Sequence, residues 1–243
     1  MKKLTENLRQ NWPTYFFEIL VLIIGIYGAF ALESWNEDRK DNKQKNVYLT
    51  HILANLADDR TQLDSLIVQT EDVVRRTHLL IESYQAQSVD PDLATQSSGV
   101  IAVEKHFNGF RSGMDALLNS GKLDLIPDQL SLNLQLYYEK SEDVVTREAM
   151  SNEYIRDFYE PHVFENYVDA FVQMDVFDIR QMYLNDTRKS ELINPDRFLN
   201  DRLLETHIII RNIHAKVEVE LYQKLIDQNE RLQQKIKAQL KTK

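Results

Sequence analysis

The sequence predicts an all-α chain in which one N-terminal transmembrane helix continues into a long-helix, up-down, four-helix-bundle-like extramembrane domain. Three observations carry that expectation. Apolar residues recur at three- and four-residue steps over most of the chain. Turn formers are scarce, with six Gly and five Pro in 243 residues, and no alternating apolar and polar run flanked by Asn-Gly or Asp-Gly marks a hairpin. One stretch near the N-terminus is too apolar for a surface helix. Residues 1–14 then read as a short cytoplasmic N-terminus, 15–35 as the transmembrane helix and 36–243 as a periplasmic bundle. Its helices fall at about 36–84, 100–120, 128–175 (broken near 161) and 195–240.

From Tyr15 to Leu32 the only acidic or basic residue is Glu18. About 18 helical residues at ~1.5 Å each nearly match a ~30 Å hydrocarbon core. Trp12 and Trp35, the only tryptophans, bracket the run roughly 35 Å apart along a helix, where amphipathic rings settle at the two interfaces, and Tyr15 adds to the first belt. A cleaved signal peptide is the competing reading, since Lys2, Lys3 and Arg9 form a basic start and Ala29-Phe30-Ala31 has small-x-small character. Glu18 inside the apolar region speaks against it.

Lys2, Lys3 and Arg9 precede the span and Arg39, Lys40, Lys43 and Lys45 follow it, so the Lys/Arg count is nearly balanced. The leading group meets one acid, Glu6, whereas the trailing group is mixed with Glu33, Glu37, Asp38 and Asp41. A cytoplasmic N-terminus is the favoured orientation. Within the span, Glu18, Leu22, Gly25, Ala29 and Leu32 lie at i, i+4, i+7, i+11 and i+14, one helical stripe. Small residues four apart admit another helix closely, and an intramembrane carboxylate needs a partner, so this stripe is the expected helix–helix contact. The alternative is that Glu18 reaches back to the headgroups and Gly25 and Ala29 are incidental.

"NEDRKDNKQKN" after Trp35 holds no Gly or Pro, so the helix is expected to leave the bilayer unbroken. Leu49, Leu56, Leu63, Thr70, Thr77 and Tyr84 recur every seven residues, flanked by Ile52, Leu66, Val73 and Leu80, a width suited to a bundle helix. "QAQSVDPDLATQSSG" reads as a loop, and a helical segment follows that Asn108-Gly109 interrupts. Ser112-Gly-Met-Asp115 has the form of a capping box, and Gly121 suits a left-handed C′ residue. Pro127 and Asp128 suit the first turn of the next helix, Pro161 suggests a kink, and Asn194-Pro195 is the clearest helix start. The last helix would descend beside the first. Its basic end, with Lys235, Lys237, Lys241 and Lys243, would then lie near anionic headgroups, although basic residues suit any helix C-terminus.

Three local motifs carry a family resemblance: Trp35-Asn36-Glu37 with Arg39 and Lys40, then Ser120-Gly121-Lys122-Leu123-Asp124-Leu125-Ile126, then Tyr137-Tyr138. In these the chain resembles a family of uncharacterised Gram-negative bacterial membrane proteins, catalogued as a domain of unknown function. The Gly/Ala-rich end of the span departs from that family's more aliphatic one. The resemblance implies an inner-membrane location and supplies no catalytic residue.

Other functions find little support. A net charge of −9 opposes nucleic-acid binding. Without cysteine, thiolate chemistry and Cys-ligated zinc are excluded. No phosphate-binding, zinc-protease or hydrolase-elbow motif occurs. His207 and His214 are a heptad apart, roughly 10 Å, too far to share a metal without further ligands. Asp58-Asp59 and Glu142-Asp143 read as solvated faces, and the aromatic run Tyr154, Phe158, Tyr159, Phe164, Tyr167, Phe171 reads as core rather than pocket. The expectation is a non-enzymatic interaction or scaffold protein without cofactor. Its partners would be the lipid bilayer and other transmembrane helices, its own or those of a larger assembly, and a small-molecule ligand is not expected. The alternative is a ligand-binding sensory module that signals through a partner, because the residues before the span are too few for an output domain.

Overall fold

A computed structural model describes residues 2–171 and 193–241, with side-chain surroundings for 16–167 and 193–241. Every regular element among these residues is helical. In chain order they are α1 (Lys2–Ala86), α2 (Pro91–Ala102), α3 (Ser112–Asn119), a 3-10 turn at Leu123–Leu125, α4 (Asp128–Tyr154), a π-helical turn at Ile155–Tyr159, α5 (Glu160–Phe171), α6 (Pro195–Asn200) and α7 (Arg202–Lys241).

α1 is one unbroken helix of 85 residues, about 125 Å long at ~1.5 Å per residue. It passes straight from the apolar stretch into the bundle. Its C-terminus is a Schellman turn in which Gln87 takes φ +50° and Ser88 N–H bonds Ser83 O at 3.1 Å, the geometry usually given to glycine. α7 runs antiparallel along α1, and α4 packs against α7. Two core clusters result. One joins Leu49, Ile52, Leu56 and Leu63 of α1 with Met114, Leu117, Leu134, Tyr137, Tyr222, Leu225 and Ile236. The other joins Val73, Leu80 and Tyr84 with Ala94, Ile101, Tyr159, Phe198, Leu204 and Ile208. Each fully buried aliphatic side chain contributes about 1.5–3 kcal/mol.

The second strut of the bundle differs from the expected helix at 100–120. Asp90 caps Asp92 N–H at 3.1 Å and Pro91 sits at N1, so most of the stretch expected to be a loop is α2. Its buried face is Ala94, Thr95, Ser97, Ser98, Gly99 and Ile101, mostly too small and polar to register as an apolar stripe. Residues 103–111 are then non-helical and α3 begins only at Ser112. Ser112 caps nothing, since α3 has no side-chain cap bond and the Ser112 hydroxyl turns to Asn55 Oδ1 at 3.2 Å. Gly113 allows α3 to lie directly on α1, because a Cβ there would stand 2.7 Å from Ile52 N and 2.9 Å from His51 C. Gly121 follows α3 with φ +68°, the left-handed conformation expected of it.

Two further boundaries shift. Pro161 does not break the chain; the π turn precedes it, with Glu160 N–H bonded to Ile155 O, and a widened turn accommodates a residue that lacks an N–H. The kink comes later, at Tyr167 (φ −139°, ψ 29°). Asn194 does cap Arg197 N–H at 3.1 Å, yet the helix it starts ends at Asn200. Asp201 (φ −83°, ψ 90°) interrupts it and accepts from Leu203 and Leu204 N–H at 3.1 and 2.9 Å, a second N-cap that starts α7. Residues 172–175 of the expected third helix lie outside the described residues.

Candidate functional site

The predicted contact stripe sits on the outer surface of α1. Glu18, Leu22, Gly25, Ala29 and Leu32 are all exposed, Leu22 by 62% and Leu32 by 68%. A Cβ built on Gly25 or Gly28 meets nothing within 4 Å. Among the described residues, one window of α1 is long and apolar enough to cross a membrane, and none of it is buried. Trp35 is exposed with the Arg39 guanidinium 5.8 Å over its ring. The side chains of Trp12 and Tyr15 lie outside those described.

The turn with Ser120, Gly121, Leu123, Leu125 and Ile126 lies at the bundle's span-facing end, where Lys122 Nζ reaches Asp41 at 3.4 Å and also Gln44. Ile126 is buried, and Ser120 Oγ donates to Leu117 O at 2.7 Å. Tyr137 and Tyr138 are buried edge to face, centroids 5.4 Å apart. Of the basic residues on α7, Lys235, Lys237 and Lys241 are exposed, and Lys243 lies outside the described residues. Asn229 bonds Leu56 O, so the antiparallel register sets Lys241 beside about residue 45 of α1, roughly 15 Å past Trp35.

The feature that sequence reasoning missed is a column of buried polar side chains at mid-bundle. A non-helical segment inside a bundle exposes backbone groups that must be satisfied, and here side chains do it. Lys105 N–H donates to Asn152 Oδ1 at 3.1 Å, and Asn152 Nδ2 returns a bond to Lys105 O at 2.7 Å. Phe107 N–H donates to Glu148 Oε2 at 2.7 Å, Asn108 N–H to Gln62 Oε1 at 3.2 Å and Phe110 N–H to Asp59 Oδ1 at 2.8 Å. Asp59 is therefore fully buried rather than part of a solvated face. It also accepts from Tyr137 Oη at 2.8 Å, and Asn229 Nδ2 donates to that hydroxyl at 3.0 Å. Tyr222 Oη donates to Glu148 Oε1 at 2.5 Å. Burial is the largest influence on Asp59 and on Glu148 and pushes both carboxyls upward.

Next to this clamp, Arg211 is 1% exposed and donates to Ser151 Oγ at 2.5 Å and Ile101 O at 3.3 Å. Glu218 is equally buried, beside the Ser151 hydroxyl. Burial raises its pKa against the opposing pull of Ser151, Arg211, Arg147 and Lys105. The same burial lowers the pKa of Lys105 and of Arg211. Towards the far end, Tyr154 Oη meets His207 Nδ1 at 2.6 Å, and Asp201 Oδ2 accepts from Tyr167 at 2.8 Å and faces His162 Nε2 at 2.8 Å. His207 and His214 flank Tyr154, with centroids 5.8 and 5.5 Å away. Burial, then Arg147 and Arg211, lowers His214 to about 4. Among the described residues no three His, Asp or Glu are placed to hold one ion. Of the aromatic run, Tyr159 and Tyr167 are buried while Phe158 and Phe164 are exposed.

Asp59 and Glu148 each hold one backbone N–H of the 103–111 segment and one tyrosine hydroxyl, so both carboxylates brace the non-helical stretch. Among the described residues, the longest run of exposed large apolar side chains lies in the apolar stretch of α1. Residues 18–84 match the model of a family of unknown function, DUF6090; the matched stretch is α1 from Glu18 to Tyr84, containing Trp35-Asn36-Glu37 and stopping short of the other two motifs. No curated protein and no solved structure matches the chain.

Proposed function

We propose that this chain is a membrane-anchored interaction subunit: α1 crosses the bacterial inner membrane once, its N-terminus cytoplasmic, and holds the helical bundle in the periplasm as a scaffold or accessory part of an assembly. The observation that carries the reading is the apolar window of α1. It is not buried among the described residues, yet it places a carboxylate and two small residues on one face, where a second span can approach and pair with Glu18. The resemblance to uncharacterised Gram-negative inner-membrane proteins supports the location. No catalytic step belongs to this reading, and the buried hydroxyls of Tyr159 and Tyr167, bonded to Ser98 O and Asp201, give no support to a tyrosine-lined sensory pocket.

Purification in mild detergent with identification of co-purifying chains tests it, using wild type beside Glu18→Gln. The expected result is a stable homo-oligomer or a co-purifying span-containing chain, lost or weakened in the variant. A wild-type monomer without companions would overturn the interaction role, and full retention of partners by Glu18→Gln would remove Glu18 from it.

A further inference from the structure

Low on the bundle, α4 and α7 part to leave a groove of about 220 Å³ lined by Asn133, Leu136, Gln228, Arg231, Leu232 and Lys235. One water needs only about 10–15 Å³. Gln228, Arg231, Leu232 and Lys235 lie at i, i+3, i+4 and i+7, one face of α7. Leu232 is buried and forms the floor, whereas Leu136 is 43% exposed at the rim beside Leu132, itself 50% exposed.

The polar groups of the groove are unmatched. Asn133 Nδ2 and Gln228 Oε1 are buried with no hydrogen-bond partner among the described residues, one a donor and the other an acceptor. Arg231 spends its Nε on Asp227 O at 2.9 Å, and neither Arg231 nor Lys235 has a carboxylate in ion-pair range among the described residues. The groove thus offers two cations and an aliphatic floor at its surface, and beneath it an amide donor and an amide acceptor that a turn of the Asn133 and Gln228 side chains would bring to a ligand. A polypeptide supplies the complement of all four: backbone C=O, backbone N–H, carboxylate and aliphatic side chain.

A lipid headgroup shares only the negative charge, and it is too far away. Both Asn229 and Gln233 donate to Leu56 O, at 2.8 and 3.4 Å, which sets the groove beside roughly residues 50–57 of α1. That is about 22–33 Å along the helix from Trp35, beyond the ~8 Å over which surface charge persists at physiological salt. Lys235 is therefore better matched to a protein anion than to the headgroup role expected for it.

We infer that this groove docks an acidic segment of another protein chain, with carboxylates on Arg231 and Lys235, a backbone amide on Asn133 and Gln228, and an aliphatic side chain against Leu136 and Leu232. The inference deepens the proposed interaction role by naming a partner chemistry, and it rests on the span only in setting headgroups aside by their distance from Trp35.

Rhodamine-labelled peptides of alternating Leu and Glu, Leu and Gln, and Leu and Lys, titrated by anisotropy against the full-length protein in uncharged detergent, test it. The Leu-Glu peptide is expected to bind more tightly than the other two. Arg231→Gln with Lys235→Gln, both surface changes, should weaken it about tenfold or more, and Asn133→Ala with Gln228→Ala should weaken it several-fold with the thermal melt unchanged. Absence of Leu-Glu binding, or binding indifferent to both pairs of changes, would overturn the proposal. So would complete displacement by inorganic phosphate, which would make the groove a free-anion site, or by anionic vesicles, which would make it a lipid site. A failed span reading leaves these titrations intact, so the two failures are separable.

Discussion

Replacing Glu148 tests whether buried side chains substitute for helical hydrogen bonding along residues 103–111. Glu148, 3% exposed, holds two donors at once, Phe107 N–H at 2.7 Å and Tyr222 Oη at 2.5 Å. In Glu148→Ala both lose their acceptor, and Phe107 N–H stays buried without an alternative. Each bond to a charged acceptor contributes roughly 1.5–3 kcal/mol. Removing a desolvated carboxylate returns part of that, so the net loss should be about 3–5 kcal/mol, the usual range for breaking a buried polar pair. For a domain of this size that is roughly 6–20 °C in melting temperature. Glu148→Gln keeps one acceptor oxygen, and the Tyr222 hydroxyl can rotate to accept from its amide, so about 1 kcal/mol is expected. The assay is far-UV circular dichroism against temperature, paired with hydrogen exchange over 103–111, where protection at Phe107 should fall in the Ala variant. Alanine melting within about 1 kcal/mol of wild type, or unchanged exchange over the segment, would refute the reasoning.

Three further outcomes follow from the geometry. Gly113→Ala should destabilise by about 1–3 kcal/mol, because the added methyl strikes α1 backbone at Ile52 and His51, while Gly28→Ala, with nothing within 4 Å, should not; equal melts would contradict the close α1–α3 approach. Tyr137→Phe deprives buried Asp59 of one bond and leaves Asn229 one acceptor short, so a loss of about 2–3 kcal/mol in chemical denaturation at pH 7 is expected, and a loss under ~0.5 kcal/mol would count against it. His214, lowered to about 4 from 6.5, binds its proton more weakly folded than unfolded, so its contribution is whole above pH 6.5 and is lost as pH falls towards 4. The full shift is worth roughly 3 kcal/mol, and partial solvent exposure reduces this to ~1–2 kcal/mol. His214→Phe should flatten the decline in melting temperature between pH 6.5 and 4.5 by that amount, and an unchanged slope would exclude His214. Asp59, Glu148 and Glu218 are raised and act oppositely over the acid range, so the difference between variant and wild type is the readout.

What could be read from the sequence was whatever depends on neighbours along the chain. The long apolar stretch near the N-terminus, the unbroken passage through residues 36–46 and the Leu49-to-Leu80 face of α1 announce themselves by composition and apolar periodicity, and Gly121 and Asn194 by local turn and cap chemistry. α2 escaped because its buried face is made of Ala, Ser, Thr and Gly, which carry almost no hydrophobic signal, although Asp90-Pro91 was a start signal of the same kind as Asn194-Pro195. The break at Asp201 escaped because apolar spacing continues across it from Leu199 to Leu203. The polar column could not be read at all: Glu148 meets partners 41 and 74 residues away and Asp59 partners 51 and 78 away, and an acid that ends a distant backbone segment looks in sequence like an acid facing water. The α4–α7 groove depends in the same way on two helices far apart in the chain.

The central claim is that one continuous helix carries the chain out of the bilayer and into the bundle. Because the chain has no cysteine, spin labels can be placed by two substitutions, Phe30→Cys in the span and Val68→Cys in the bundle, both exposed positions at 65% and 68%. Pulsed electron-electron double resonance of the full-length protein in lipid nanodiscs should then give a single narrow distance near 57 Å, from 38 residues at ~1.5 Å each. A broad distribution, or a maximum many ångströms shorter, would mean a hinge between span and bundle and would contradict the account.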